Sequence, residues 1–133
     1  MIRIIFVDNA AAVRWAAAVE LLHNASLVHD DICDGDKIRR GQQAVWAKFG
    51  RHVALTLGDW LIALSFELAS EAAQIAKTPK LVTLLARHMA TTTAGEAMEF
   101  EFDRKNDWDT YLKIAADKTA PLLTAPLQGV AIM

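Results

Sequence analysis

The sequence has few of the residues that cross-link or interrupt a folded chain. It contains one cysteine, three prolines and six glycines among 133 residues. A single cysteine excludes an intrachain disulfide, so a reducing cytoplasmic location is the simplest expectation. The low proline and glycine counts leave little room for long flexible linkers. We therefore predict that residues 1–133 form one helical domain, because this length suits a single core.

Signals for nucleic acids and membranes are also absent from the sequence. The 14 basic and 16 acidic residues give a net charge of −2, and the basic residues form no run that would indicate a nucleic-acid partner. The apolar run before Asp8 is too short for a signal-peptide core. The most apolar stretch, residues 53–69, contains Asp59 and Glu67. Since a span needs about 20 apolar residues, we interpret this stretch as a buried helix and predict no transmembrane segment.

The sequence is rich in alanine and in apolar residues at helical spacing. Hydrophobic residues make up 53% of the chain. Steps of three and four residues over positions 10–33 are typical of an α-helix. The residues that recur at these steps are Trp15, Val19, Leu22, Ser26 and His29.

Four further helices are expected downstream, the first of them short. The short helix is predicted over 42–49 and a second long helix over 52–76. A third begins at Thr78-Pro79, with Pro79 in its first turn, and continues to about residue 104, and a turn follows at Asn106 and Asp107. The last begins near Asp109, which we predict as its N-cap. The buried face of the second long helix is predicted to contain Leu55, Trp60, Leu64 and Leu68. The fold class is therefore all-α, an antiparallel helical bundle.

Three carboxylates lie together at the end of the first predicted helix. Asp30 and Asp34 are four residues apart and share a face, with Asp31 beside them. The carboxylates repel one another and lie near the negative end of the helix dipole. A hard cation such as Mg²⁺ would neutralise them, and Mg²⁺ completes its ligand shell with substrate phosphates. The alternative is an acidic helix end that is simply exposed to water.

Two arginines follow the carboxylates and favour the metal interpretation. Arg39 and Arg40 precede Gly41, within a dozen residues of Asp30. Guanidinium groups bind phosphate oxygens through paired hydrogen bonds. Carboxylates for a metal and arginines for phosphate together predict a site for a Mg²⁺–diphosphate group.

The sequence around these residues resembles the first aspartate-rich motif of the trans-isoprenyl diphosphate synthases, the polyprenyl synthetase family. The resemblance rests on residues 20–41, on Val-Trp-Ala-Lys-Phe-Gly at 45–50, on Gly58-Asp59 and on Lys118-Thr119. It covers the chain from about Ala16 onward. It implies an isoprenoid-synthase-like bundle, of which this chain supplies the N-terminal half.

The resemblance also implies an activity and a metal. In this family the allylic diphosphate ionises, the double bond of isopentenyl diphosphate attacks, and a proton is lost, which elongates the prenyl chain in isoprenoid biosynthesis. Mg²⁺ ions hold the allylic diphosphate. By this resemblance Asp30 and Asp34 are the metal ligands, and Asp31 supports them.

Substrate contacts follow from the same resemblance. Arg39 contacts the allylic diphosphate and Arg40 the isopentenyl diphosphate, whereas Lys118 and Thr119 steady the allylic diphosphate or its leaving group. Residues four and five before the first aspartate, Ser26 and Ala25, form the floor under the growing tail. Both are small, so we expect products longer than fifteen carbons.

The sequence departs from the family pattern at three places. The lysine and arginine that bind isopentenyl diphosphate near the N-terminus of the family have no counterpart in residues 1–14. Gly95-Glu96 stands where the family has Gly-Gln, with Glu99 three residues later; Glu96 and Glu99 either form a solvated face or point toward the diphosphate. The resemblance places the second aspartate-rich motif beyond residue 133, so one monomer carries one motif. We therefore expect a homodimer, in which the aspartate clusters of two copies face each other, or a hetero-oligomer. The alternatives are a non-catalytic subunit or truncated fragment of a polyprenyl synthase, and a class I terpene cyclase.

Overall fold

The computed structural model describes residues 8–101 and 108–133. The predictions about the start of the chain and about the turn at Asn106 and Asp107 lie outside these residues. Within the described residues the chain forms five helices and one two-stranded hairpin. The helices are α1 (Asn9–Asp34), α2 (Val45–Phe49), α3 (Arg51–Ile75), α4 (Lys80–Glu101) and α5 (Trp108–Ile132), and the strands are β1 (Ile38–Arg39) and β2 (Gln42–Gln43). The all-α prediction is confirmed.

Two boundary predictions were wrong. Gln42 and Gln43 do not open the short helix, because they pair with β1 in an antiparallel hairpin. The turn of this hairpin contains Arg40 and Gly41, both with positive φ. Asp109 is not the N-cap of α5 but lies in its first turn, where its charge still complements the helix dipole.

Helix α1 is delimited so that the acidic residues fall in its last turn. The Asp8 side chain accepts hydrogen bonds from the backbone N–H groups of Ala10 (2.8 Å) and Ala11 (3.3 Å), which fixes the start of the helix. Gly35, in the left-handed conformation with φ 73°, ends it directly after Asp34. The end of α1 therefore presents the carboxylates at one end of the bundle.

Helices α1 and α3 approach closely because the face of α3 toward α1 is made of small residues. The Ser65 hydroxyl donates a hydrogen bond to the Ala18 carbonyl at 2.6 Å. The prediction that Leu55 and Trp60 are buried was wrong, since they are 45% and 59% exposed. Small side chains allow the two helix backbones to lie close together. The bulky side chains of α3 do not fit into this narrow contact and therefore lie on its outer face. The buried residues of α3 are Ala54, Gly58, Ser65, Ala69, Ala72 and Ala73.

By length and composition, α3 is the one helix among residues 8–101 and 108–133 that would be able to cross a membrane. Its most apolar window has a mean hydropathy of 1.4 and is 22% buried. In the structure this helix packs along α1 and beside α4.

The far end of the bundle holds the hydrophobic core. Trp15 is fully buried, and its indole N–H donates to the Ala125 carbonyl at 3.2 Å. Gly129 leaves room for this indole, because a Cβ atom there would collide with the ring. Leu81 and Leu85 of α4 are also fully buried in this core. The core thus ties α1, α3, α4 and α5 together below the acidic end.

Candidate functional site

A deep cavity runs between the helices from the acidic end toward the core. Its volume is about 940 Å³. On α1 its lining extends from Cys33 to Ala16, a length of ~26 Å at 1.5 Å per residue. The charged groups of Asp30, Glu96 and Lys118 lie at one end of the lining. The remainder is lined by Glu20, by His23 and mainly by apolar side chains, which include Val19, Leu22, Leu27, Ile62, Met89, Leu122 and Leu123.

A group of three carboxylates stands at the polar end. Asp30 and Asp34 of α1 and Glu96 of α4 each offer an oxygen atom, and these atoms lie within 4.8 Å of one another. One oxygen of Glu96, Oε1, is sealed from solvent and has no hydrogen-bond partner. Glu96 therefore faces the aspartates and is not part of a solvated surface.

The ammonium group of Lys118 bridges α5 to these carboxylates. Its Nζ lies 3.0 Å from Glu96, 3.3 Å from Asp30 and 2.5 Å from Glu99. Burial lowers the pKa of Lys118, but hydrogen bonds to the two glutamates and the charge of Asp30 outweigh burial and raise it well above its usual range. Lys118 is therefore a permanent cation at the site.

Two of these carboxylates, Asp34 and Glu96, resist ionisation. Burial, then the charge of Asp30, raises the pKa of Asp34, and Lys118 opposes this effect. Burial raises the pKa of Glu96; the hydrogen bond from Lys118 lowers it, and Asp30 raises it again, so that it stays above its ordinary value. Burial and the neighbouring carboxylates raise the pKa of the Cys33 thiol as well. One lysine does not neutralise this cluster.

Gly95 brings α4 and α5 together at the level of the cluster. A Cβ atom at this position would lie 2.5 Å from the backbone nitrogen of Lys118. Any other residue would separate the two helices. Because Gly95 has no side chain, the two helices lie close enough for Lys118 to contact Glu96 and Glu99.

Asp31 points away from the other two aspartates. It is 3% exposed, and the guanidinium of Arg39 holds it through three contacts of 2.7–2.9 Å. The hydrogen bond to Asp31 raises the pKa of Arg39, while burial of the guanidinium opposes the change. The contacts use Nε and Nη2 of Arg39, so the edge formed by Nη1 remains for another ligand. Asp31 is outside the three-carboxylate group.

The other residues singled out from the sequence occupy different places. Arg40 is exposed in the hairpin turn. Thr119 is exposed and lines the cavity next to Lys118, and Ser26 lines it one helical turn below Asp30. Ala25 is buried, 1% exposed, and is not among the lining residues, because one residue along a helix turns the side chain by about 100°.

His29 connects the acidic end of α1 to α3. Its Nε2 lies 3.3 Å from the Leu55 carbonyl oxygen and 3.6 Å from Asp59 Oδ1. The ring packs directly on Gly58, where a Cβ atom would collide with it. The Gly58-Asp59 pair noted in the sequence therefore provides space and a polar contact for His29, and Asp59 is not part of the carboxylate group.

The three-carboxylate group fits Mg²⁺ as a metal. All of its donors are hard oxygen atoms, the ligands that Mg²⁺ prefers. Glu96 Oε1 is free to act as a metal ligand, because none of the described residues donates a hydrogen bond to it.

Comparison with known proteins agrees with this geometry. The family model for polyprenyl synthetase matches residues 4–133. The chain is 37% identical over 119 residues to a short chain isoprenyl diphosphate synthase of Methanocaldococcus jannaschii, covering 89% of this chain and 36% of that protein. It is 36% identical to a geranylgeranyl diphosphate synthase of Saccharolobus solfataricus, covering 92% of this chain and 39% of that protein.

Solved structures give the same picture. Geranylgeranyl pyrophosphate synthetase of the archaeon Geoglobus acetivorans superposes with a TM-score of 0.83 at 32% identity, covering 94% of this chain and 42% of that one. The geranylgeranyl pyrophosphate synthase of Lactobacillus brevis reaches 0.86 at 26% identity, covering 95% and 39%. The chain thus spans about two fifths of the length of such relatives. It belongs to the polyprenyl synthetase family.

Proposed function

We propose that this chain binds an allylic prenyl diphosphate through Mg²⁺ and takes part in its elongation with isopentenyl diphosphate. The observation that carries the proposal is the placement of Asp30, Asp34 and Lys118 at the polar end of a 940 Å³ apolar cavity. Carboxylates and an ammonium group suit a metal-bound diphosphate, and the apolar walls suit a prenyl tail. The relatives named above are prenyl diphosphate synthases, which supports the same class of reaction.

Each side chain has a definite part in this proposal. Asp30 and Asp34 hold Mg²⁺, which when bound stabilises the negative charge of the departing diphosphate. Lys118 and Thr119 contact the same diphosphate from α5. Arg39, fixed by Asp31, offers the Nη1 edge of its guanidinium to phosphate oxygens. Asp31 thus acts through Arg39 rather than on the metal.

Elongation is favoured over cyclisation by Arg40. Arg40 is exposed beside Arg39 and is not a lining residue of the cavity. A second guanidinium outside the allylic cavity is what a second diphosphate substrate requires, and a cyclase has no such substrate. Arg40 therefore serves isopentenyl diphosphate in this proposal.

Product analysis separates the alternatives. The purified chain is incubated with farnesyl diphosphate, isopentenyl diphosphate and Mg²⁺, and the products are resolved by chromatography. A longer prenyl diphosphate supports elongation, whereas a hydrocarbon formed without isopentenyl diphosphate supports a cyclase. Binding of farnesyl diphosphate with no product would identify a non-catalytic subunit or a part of a longer synthase, and would contradict elongation by this chain alone.

We also propose that two copies associate through the outer face of α3. A groove of about 450 Å³ on this face is lined by His52, Val53, Thr56, Leu57 and Trp60, none of which lines the main cavity. Val53 and Trp60 are 50% and 59% exposed. Large exposed apolar patches mark interfaces, and a two-fold contact would cover both copies of the patch at once.

Sedimentation of two charge variants tests which face is used. Trp60→Glu should convert the dimer to a monomer, whereas Leu127→Glu should leave it intact. Leu127 is 76% exposed on α5, next to the cavity-lining Pro126. The reverse result would favour the arrangement in which the aspartate clusters of two copies face each other across the cavity. A wild-type monomer would contradict both arrangements.

A further inference from the structure

Glu96 brings a third carboxylate to the two aspartates of α1. It lies on the face of α4 toward α1, and one of its oxygens lies within 4.8 Å of oxygens of Asp30 and Asp34. Three carboxylates, those of Asp30, Glu96 and Glu99, contact one ammonium group, that of Lys118, and the carboxylate of Asp34 lies beside Asp30 and Glu96. The cluster therefore carries an excess of negative charge that a divalent cation would balance.

The hydrogen-bonding state of Glu96 indicates where that cation would bind. Its Oε2 contacts Lys118 at 3.0 Å, while its Oε1 is sealed from solvent without a partner. A buried acceptor without a donor is unfavourable by about 1–3 kcal/mol, and more when it is charged. A metal ion held by Asp30 and Asp34 would be within reach of the Glu96 carboxylate, because one oxygen of each of the three residues lies within 4.8 Å of the others.

Lys118 occupies the place of this cation in the metal-free chain. An ammonium group has three N–H donors. Hydrogen bonds to Glu96 and Glu99 use two of them, and Asp30 lies 3.3 Å from the same nitrogen as an ion-pair partner. A metal on Asp30 and Glu96 would take two of these partners, which leaves Lys118 with Glu99 and two donors for phosphate oxygens.

We propose that Glu96 is a third carboxylate ligand of the metal and that Lys118 is the internal cation that the metal replaces on Asp30 and Glu96. This inference rests on the proposed metal–diphosphate function and adds a ligand from α4 to it. Metal binding and diphosphate binding are then coupled within one chain, because the metal frees the ammonium group that the diphosphate needs. Coupling of this kind is reciprocal, so diphosphate also strengthens metal binding.

Binding of Mn²⁺, a hard divalent probe, tests the assignment without any turnover. Free Mn²⁺ is measured by electron paramagnetic resonance as the purified chain is titrated, for wild type, Glu96→Gln and Glu99→Gln. The two variants remove the same charge from the same helix, and Glu99 lies outside the three-carboxylate group. Loss of a charged ligand should weaken Mn²⁺ binding by more than the roughly tenfold typical of a residue behind the ligands, so Glu96→Gln should have a clearly larger effect than Glu99→Gln.

Equal losses in the two glutamate variants would overturn Glu96 as a ligand. Circular dichroism of each variant shows whether it is folded. Lys118→Met supplies an independent readout, since removal of the competing cation should tighten Mn²⁺ binding several-fold. Unchanged or weaker Mn²⁺ binding would overturn the proposal that the metal replaces Lys118. Asp30→Asn distinguishes a failure of the Glu96 assignment from a failure of the proposed metal site. If Asp30→Asn abolishes Mn²⁺ binding while Glu96→Gln leaves it unchanged, the Glu96 assignment fails and the proposed function stands; if neither variant has an effect, both fail.

Discussion

Gly95 of α4 lies against the backbone of Lys118 on α5, so closely that a Cβ atom would come within 2.5 Å of the Lys118 nitrogen. This contact joins the two helices at the level of the acidic cluster. Lys118 can reach Asp30, Glu96 and Glu99 because the helices are in contact here. A residue with no side chain therefore controls the charge arrangement of the site.

Gly95→Ala should destabilise the chain. In an open helix this change stabilises by up to about 1 kcal/mol, because glycine is a poor helix former. Here the new methyl group meets backbone that cannot rotate away, and overpacking of this kind is unfavourable by about 1–3 kcal/mol. Urea unfolding should therefore give a lower midpoint for the variant. A higher midpoint would show that α4 and α5 are not in contact at Gly95.

Loss of Arg39 should be more destabilising than loss of Arg40. Arg39 is the partner of the buried Asp31, and its removal leaves a carboxylate that is 3% exposed without its cation. Arg39→Met should lower the free energy of unfolding by about 2–4 kcal/mol, somewhat below the range for a fully buried pair because the arginine is partly exposed. Arg40→Met, at an exposed position, should stay within about 0.5 kcal/mol. Equal effects would contradict the pairing.

Ser26→Phe and Ala25→Phe should have different consequences. The phenyl ring at position 26 would enter the cavity one turn below Asp30, so farnesyl diphosphate should bind more weakly while dimethylallyl diphosphate binds as before. The ring at position 25 has no cavity to enter and should destabilise the fold by about 1–3 kcal/mol. Competition binding and thermal unfolding measure the two effects. Loss of the long substrate in the folded Ala25 variant alone would contradict this geometry.

Acidification should weaken metal binding while it stabilises the metal-free chain. The pKa values of Asp34 and Glu96 are raised above their ordinary values of 3.8 and 4.5. Both groups therefore take up protons in the folded chain at a higher pH than in the unfolded chain, and the folded state gains stability as the pH falls through the raised values. The gain ends near the ordinary values, where the unfolded chain is protonated too.

Asp34→Asn tests whether the charge of Asp34 destabilises the metal-free chain. The variant lacks the repulsion and, as a surface substitution, should raise the unfolding midpoint at pH 7 by about 1–2 °C in the absence of metal. The difference from wild type should shrink as the pH falls toward 4.5. A lower midpoint for the variant at pH 7 would show that Asp34 is stabilising and that the cluster is not strained.

The sequence allowed prediction of the helices but not of their orientations. Spacing of four residues places Asp30 and Asp34 on one face, and the charged run after them marks the end of α1. The separation of Asp31 from its neighbours depends on the hairpin that carries Arg39, and no periodicity encodes that contact. The direction of Glu96 was left open from the sequence because it depends on packing at Gly95.

The faces of α3 illustrate the same limit. Its length and periodicity were predicted, yet Leu55 and Trp60 were assigned to the wrong face. A stripe of large apolar residues indicates the buried face of a helix only when large side chains fill the space between the helices. Here close approach to α1 selects alanine, glycine and serine for the interior, and Trp60 lies on the surface proposed for the dimer.

Calorimetric titration with farnesyl diphosphate, with and without Mg²⁺, tests the central claim most directly. The claim is that carboxylates, metal and diphosphate form one site at the polar end of the cavity. The account predicts binding at least about tenfold tighter with Mg²⁺ and loss of this metal dependence in the variant with Asp30→Ala and Asp34→Ala. Equal affinity with and without Mg²⁺ in the wild type, or an unchanged metal dependence in the double variant, would contradict it.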